Sequence, residues 1–419
     1  MTQARLAAVA IVERLRGAGF VAFFAGGCVR DELLGRVPSD YDVATDAVPE
    51  QITKLFDRTA EVGAHFGVVL VKVQREVIEV ATFRADGTYS DARRPDSVRF
   101  STPDEDARRR DFTVNALFLE PRGGTAGLVG SPAIKQTRAG TVIDYVGGLA
   151  DLDAKVLRAV GDAHQRLAED HLRALRAVRL AGKLGFAIEE STAKAITAHA
   201  SELRGVSRER IGDELRAMME HPTRARAAEE IARLGMEGPI FRDGLTLAAG
   251  ARLLATLREA ASFGVCLAAW MVDRGLALEV GAIAKAKAGV RDALLLSNKE
   301  AADFEHALAG VVAFVGQWEG SGVATRKRLL AGPLAIGREI LAGISPEIAR
   351  RVDADARALA ADGIGIEPAM LLTGDVLVSW GYKPGPGFKA VLSQVYDAQL
   401  EGRVKNLDDA RELALRLGV

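Results

Sequence analysis

The chain has 419 residues, 48% of them hydrophobic and 26% charged, a composition that can bury several cores and excludes a disordered polypeptide. Lysine and arginine number 55 against 56 acids, a formal net charge of −1, so nucleic-acid binding would have to come from local basic patches. Two distant cysteines, Cys28 and Cys266, indicate neither a disulfide framework nor a zinc site, and Cys28 reads as a small core residue. The six histidines (His65, His164, His171, His199, His221, His306) are scattered, with no HEXXH pattern and none followed by Asp, which argues against a zinc hydrolase or an HD-type phosphohydrolase. No apolar run is long enough to span a bilayer and neither end has a signal-peptide pattern, so a cytoplasmic location without membrane association is expected; no protein partner is evident.

Residues 4–18 place Leu6, Val9, Ala10, Val12 and Leu15 at helical spacing and run into Gly17 and Gly19, which predicts a capping helix. A strand is expected over Val21 to Ala25, then the diglycine turn Gly26-Gly27, then a helix over Val29 to Leu34 whose first amides can meet an anion. Pro38-Ser39 breaks the chain before a strand from Asp40 to Ala44. Pro49 to Phe56 reads as helix, and Phe66 to Val73 and Val77 to Phe83 read as strands joined at Gln74-Arg75-Glu76. Segment 84–99 is polar and aperiodic and predicts a mobile loop, and glycine-rich residues 122–140 predict another. From about Asp151 alanine and helical periodicity dominate, with breaks at 236–245, 316–323, 344–346 and 362–367 and a tight turn over 381–387. The fold class expected is α+β: a small N-terminal mixed β-sheet head with helices, followed by an elongated all-α region.

Twelve residues separate Gly26-Gly27 from Asp40, which is followed by Tyr41, Asp42 and Val43. One short segment thus supplies a phosphate-sized backbone cradle and then two carboxylates. Side chains two apart in a strand share a face, so Asp40 and Asp42 can hold one hard cation while Tyr41 and Val43 anchor the strand in a core. That is the layout of a nucleotidyl-transfer site, and the lack of a following GK[ST] excludes a P-loop. Glu79, flanked by apolar residues in the strand Val77 to Ala81, is a candidate third acid or a base for an attacking hydroxyl, although an outward-facing surface glutamate fits the pattern equally.

Two further constellations stand out. Arg109-Arg110-Asp111-Phe112-Thr113-Val114-Asn115-Ala116 sets two cations, a carboxylate and an amide before an apolar segment; Asp111 can N-cap the next helix, while Arg110 and Asn115 can reach ribose and phosphates. Glu169-Asp170-His171-Leu172-Arg173 is expected to begin a long helix with Asp170 and Arg173 on one face. A surface ion pair is one account of them. The other is chemical: an aspartate accepting from an exocyclic amine beside an arginine donating to the neighbouring ring nitrogen suits cytosine and adenine and mismatches uracil and guanine. Arg176 and Arg179 continue the row and can take a triphosphate's charge. A helix that lines up arginines without acids between them gains little stability from doing so. The other basic groups are Arg93-Arg94, Arg108 beside Arg109-Arg110, and Arg326-Lys327-Arg328; a solvated face accounts for the last as well as RNA binding does.

In combination these elements resemble the class II tRNA nucleotidyltransferase and bacterial poly(A) polymerase family of the polymerase-β superfamily. The resemblance is carried by GGCVRDELLGRVPSDYDVAT at 26–45, IEVATFRADGTYSDARRPDSVRF at 78–100, RRDFTVNALF at 109–118, IDYVGGLADLDAKVLRAVGDA at 143–163 and EDHLRALRAVRLAGKLGF at 169–186. It covers about residues 21–190, and TGDVLVSWGYKPGPGFKAVLSQVYDAQLEG at 373–402 looks like the C-terminal part of CCA-adding members. It implies that Asp40 and Asp42 bind catalytic Mg²⁺, that Gly26, Gly27 and Arg30 contact the nucleotide, and that Arg109, Arg110, Asp111 and Asn115 serve ribose and phosphates. It further implies that Asp170 and Arg173 read the base, with Glu169 steadying the arginine, and that Arg176 and Arg179 bind the triphosphate. Segment 84–99 matches the loop that A-adding members use when the site changes from C to A.

The resemblance implies a nucleotidyltransferase head over 1–150, a neck for base recognition over 151–235, an RNA-binding body over 236–345 and a tRNA-binding tail over 346–419, gripping the acceptor arm and elbow. The expected activity is template-independent addition of CCA, or its terminal nucleotides, to the 3′ end of tRNA from CTP and ATP, with pyrophosphate released. An A-adding specialist, a poly(A) polymerase or a CC-adding enzyme are the alternatives within the family; a catalytically inactive RNA-binding protein is the alternative outside it. Two departures are visible: the connection 122–140 is longer than usual, and Leu167 stands where phenylalanine is common.

Overall fold

The computed structural model describes residues 2–61, 67–87, 97–124, 128–383 and 385–418. Two compact units emerge: residues 1–215 with 233–240, and residues 216–232 with 241–419. No helix among the described residues is long and apolar enough to cross a membrane.

The first unit opens with α1 (Gln3–Gly17), N-capped by the Thr2 hydroxyl, which buries Ala8, Ile11, Val12 and Leu15. Then follow β1 (Ala22–Ala25), α2 (Gly27–Leu33), β2 (Asp42–Thr45), α3 (Pro49–Leu55), β3 (Thr59–Glu61), β4 (Val68–Val73) and β5 (Glu76–Thr82). A small ribbon of β6 (Arg84–Asp86) and β7 (Val98–Phe100) leads to α4 (Pro103–Arg108), a 3₁₀ turn at Thr113–Asn115, β8 (Phe118–Glu120), β9 (Ala133–Thr137), β10 (Gly140–Asp144) and α5 (Gly148–Ala154). Eight strands form one mixed sheet in the order β3-β4-β5-β2-β1-β8-β10-β9, antiparallel throughout except for the β2–β5 pair.

The sheet buries Phe23, Phe83 and Phe118 against one another, with centroids 5.8–6.2 Å apart. Two expectations are corrected. Residues 122–140 are not wholly a loop: Ala133–Thr137 pairs with β10 as an exposed edge strand, whose sequence lacks the apolar alternation that marks a half-buried strand. The carboxylate strand begins at Asp42, two residues later than expected, and Asp40 lies just before it. The ends of segment 84–99 form the β6–β7 ribbon; residues 88–96, including Arg93-Arg94, and also His65 and Phe66 lie outside the described residues.

Helices complete the first unit: α6 (Ala163–Glu169), α7 (Arg173–Leu184), α8 (Glu190–His199) and α9 (Arg208–Met219), the last running on past Leu215. A two-stranded parallel bridge of β11 (Val156–Leu157) and β12 (Ala187–Ile188) interrupts the otherwise helical pattern. Gly148 fixes where α5 meets the 3₁₀ turn, because a Cβ on it would stand 2.2 Å from the Thr113 carbonyl oxygen. Gly148→Ala therefore forces the 111–115 segment to move; thermal melting is expected to fall by several degrees and nucleotide incorporation with it.

The second unit is helical. Phe263–Asp273 is buried along most of its length, with Trp270 edge-on to Phe241, and the long helix Asn298–Gln317 starts with a capping box of Ser297 and Glu300. Arg326-Lys327-Arg328 is not a free cationic patch, since each member has a partner. Arg326 bonds Asp355 and lies over Trp318, fully buried Lys327 donates to the Leu400 carbonyl and pairs with Asp362, and Arg328 pairs with Asp397. Towards the C-terminus Leu377, Val395, Ala398 and Ala410 form a separate small core.

Candidate active site

Sheet register assembles the site. Antiparallel pairing of β1 with β2 sets Ala25 opposite Asp42, so the diglycine after β1 arrives beside the carboxylates before and at the start of β2. Parallel pairing of β2 with β5 sets Glu79 opposite Asp42, and β8 pairs Phe118 with Ala25, which delivers Asn115 and Arg110 to the same edge. Gly26 has φ +78°, a conformation that suits glycine, and a Cβ on it would come within 3.0 Å of Arg110 Nη1. All fifteen candidate residues except Glu169 line one cleft of about 720 Å³, a size suited to a small-molecule ligand.

Asp42 is the electrostatic centre of that cleft. Burial, the Glu79 carboxylate and the Asp40 carboxylate push it up to about 6, against a smaller downward pull from Arg110. Carboxylate oxygens are hard donors of the kind Mg²⁺ prefers, although no three such side chains converge as a ready ligand set among the described residues. Tyr41 turns away from them: its hydroxyl donates to Glu32 at 2.7 Å, Glu32 is held by Arg5 at 2.6 Å, and the ring packs on Phe24. Cys28 is a core residue as expected, its thiol pushed up to about 12 by burial.

The arginines around the cleft are fixed by acids that the sequence pattern did not reveal. Asp106, with 2% of its side chain exposed, binds Arg109 through Oδ1 and Arg110 through Oδ2 at 2.6 and 2.9 Å. Burial alone would raise Asp106, but Arg110 and Arg109 outweigh it and hold the carboxyl below its ordinary range. Asp106→Asn leaves both guanidiniums short of an anion, and we expect a loss of about 3 kcal/mol, read as a lower denaturation midpoint at constant slope. Arg30 lies along Gly27, bonded to Asp31 and to the Asn115 side-chain oxygen at 2.5 Å.

Asp111 does not cap a helix, because only a 3₁₀ turn follows and Phe112 occupies its N-cap position. It instead accepts from the Phe112 amide, from Asn115 Nδ2 and, at 2.7 Å, from Arg176. Arg176 is raised by the Asp111 charge.

The stretch 169–173 is a junction between two helices and not the start of one: α6 ends at Glu169 and α7 begins at Arg173. Asp170 and Arg173 both line the cleft but do not pair. Asp170 accepts from Arg210 at 2.7 Å and from the Leu172 amide, while Arg173 Nη1 donates to Glu169 and to the Arg166 carbonyl, each at 2.6 Å. The surface-pair account of these residues is therefore wrong. The row Arg173, Arg176, Arg179 is also compensated, by Glu169, Asp111 and Glu214 in turn, so the acids absent from the helix come from elsewhere. Lys183 extends the row into the cleft.

Sequence reading missed Asp106, Arg166, Lys183, Arg210 and Glu214. Asp106 was findable, since it lies three and four residues before Arg109 and Arg110 on one helical face. Arg166 also bridges Glu169 to the Arg108 and Arg109 carbonyls, and no local spacing announces it.

This arrangement has counterparts. A family model described as a poly A polymerase head domain matches residues 22–158, and one described as a probable RNA and SrmB-binding site of polymerase A matches residues 185–244. A CCA-adding enzyme of Geobacillus thermodenitrificans is 32% identical over 95% of this chain and 93% of its own. The crystal structure of the Bacillus stearothermophilus CCA-adding enzyme in complex with CTP superposes with a TM-score of 0.76 at 28% identity, covering 99% and 98% of the two chains. The Thermotoga maritima CCA-adding enzyme complexed with tRNA shares the fold, at TM-score 0.69 and 19% identity over 98% and 94%. On this full-length similarity the chain belongs to the CCA-adding enzyme family and is a nucleotidyltransferase of the tRNA type.

Proposed function

We propose that this chain adds C, C and A to the 3′ end of tRNA from CTP and ATP without a nucleic-acid template, releasing pyrophosphate at each step. The observation that carries the reading is that Asp40, Asp42 and Glu79 line the same cleft as Asp170, Arg173, Arg176 and Arg179. Asp40 and Asp42 would hold Mg²⁺, which when bound offsets charge on the reacting phosphate and lowers the pKa of the attacking hydroxyl. The O3′ of the tRNA forms a bond to the α-phosphorus as the bond to pyrophosphate breaks. Glu79 serves as the third acid of the group or receives the hydroxyl proton.

Recognition follows from the fixed side chains. The amides at the start of α2, with Gly26 and Gly27, cradle phosphate, and Arg176, Arg179 and Arg110 present cations already held in place by their acids. Asp170, gripped by Arg210, accepts from the exocyclic amine of cytosine or adenine; Arg173, gripped by Glu169, donates to the adjacent ring nitrogen. Preorganised groups reject a base that leaves them unpaired. The head, neck, body and tail assignments at 1–150, 151–235, 236–345 and 346–419 belong to the same reading, with body and tail holding the acceptor arm and elbow, and so does a cytoplasmic location.

The intact sequence of segment 84–99, which resembles the loop of A-adding members, favours an enzyme that completes the sequence over a CC-adding one. The test supplies tRNA ending at the discriminator base with CTP and ATP, together and apart. C-C-A is expected with both, C-C with CTP alone and no product with ATP alone. Extension by ATP alone into a homopolymer would identify a poly(A) polymerase, and extension only of tRNA already ending in C-C would identify an A-adding specialist.

A further inference from the structure

Arg166 joins three separate stretches of chain around the cleft. It lies on α6, one turn before Glu169, with 13% of its side chain exposed. Nη2 donates to the carbonyl of Arg108, the last residue of α4, at 2.8 Å, and Nη1 to that of Arg109, its C-cap residue, at 3.1 Å. An arginine is well suited to satisfy carbonyls at a helix end. Nε donates to the Val160 carbonyl at 3.3 Å, and the Val160 amide in turn donates to the Asp111 carbonyl at 3.2 Å. Nη1 also donates to Glu169 Oε2 at 2.7 Å, the same oxygen that accepts from Arg173 Nη1 at 2.6 Å. Arg173 Nη1 donates as well to the carbonyl of Arg166 itself, at 2.6 Å.

We infer that Arg166 is a positioning residue for nucleotide selection: it fixes Glu169, and through it Arg173, relative to α4. The inference rests on the proposed reading of the base by Arg173. α4 also carries Asp106, which binds Arg109 and Arg110. One guanidinium thus locks the group that meets the base to the element that sets the cations proposed for ribose and phosphates. Shared in this way, the two ends of the nucleotide are read by one linked unit. The planar fork of an arginine reaches several acceptors at once, which a lysine ammonium on its flexible stem does not reproduce. Without the fork, Glu169 keeps Arg173 but loses its tie to α4, and a guanidinium that wanders no longer discriminates sharply between ring nitrogens.

The test measures kcat/KM for CTP and for UTP on tRNA ending at the discriminator base, with the full-length protein. The ratio of CTP to UTP is expected to fall about tenfold in Arg166→Ala and less in Arg166→Lys. A purely structural role lowers both values in proportion and leaves the ratio unchanged. Because Arg166 acts through Arg173, adding Arg166→Ala to Arg173→Ala should lower the ratio no further. An unchanged ratio in Arg166→Ala beside a lowered one in Arg173→Ala would overturn the inference, as would independent losses that multiply in the double variant. An unchanged ratio in Arg173→Ala would instead remove the base-reading account beneath it. Where Arg166→Ala does not fold, Arg166→Lys runs the same comparison: a fall that vanishes in the Arg173→Ala background supports the role, and no fall contradicts it.

Discussion

Asp42→Ala is expected to reduce nucleotide incorporation at least about a thousandfold while tRNA binding, followed by gel shift, is retained. The isosteric Asp42→Asn should do the same and also stabilise the protein in the absence of divalent cations. Asp42 titrates near 6 because burial, Glu79 and Asp40 all oppose its ionisation. A carboxyl raised in the folded state contributes stability that is present below its ordinary value of 3.8 and is lost as pH rises through about 6. At pH 7 the amide removes that cost, so a gain on the order of 1–2 kcal/mol is expected from denaturant melts in chelator. A variant that is both inactive and more stable is the signature of a site built for charge and not for folding. Persistent incorporation would remove Asp42 from the chemistry, and a loss of stability in chelator would contradict the electrostatic account.

Arg173→Ala is expected to relax selection between CTP or ATP and UTP or GTP by about a hundredfold, with a smaller change in triphosphate affinity. The reason is geometric. Arg173 is held at Nη1 by Glu169 and the Arg166 carbonyl, whereas Arg176 and Arg179, the cations proposed to meet the triphosphate, are anchored separately to Asp111 and Glu214. Removing Arg173, the proposed base reader, therefore leaves the anchoring of Arg176 and Arg179 intact. Glu169→Gln keeps the guanidinium but loosens its aim, and an intermediate relaxation is expected. Competition assays with all four nucleotides check both, and unchanged preference in Arg173→Ala would assign base choice to other residues.

Much of the site was legible because its chemistry is compressed into short segments. Gly26-Gly27, Asp40 and Asp42 lie within seventeen residues, and strand periodicity alone suggests their approach. Glu79 was ambiguous, since an isolated glutamate in a strand has two possible faces; only the β2–β5 register sets it beside Asp42. The 169–173 stretch misled because helical spacing was applied across residues that break the helix, with Asp170 in an extended conformation. Arg210 and Glu214, which fix Asp170 and Arg179, lie 40 and 35 residues from their partners, so tertiary packing alone brings them together. The edge strand Ala133–Thr137 escaped notice for a related reason: exposed edge positions need no apolar alternation.

The central claim is that protein side chains, in place of a complementary strand, choose the incoming nucleotide beside a carboxylate-bound ion. A crystal of the protein soaked with CTP and Mg²⁺ tests it most directly. The account predicts the cytosine edge against Asp170 and Arg173, with the triphosphate reaching a cation held by Asp40 and Asp42. A base bound away from Asp170 and Arg173, or carboxylates without a cation beside an ordered triphosphate, would contradict it.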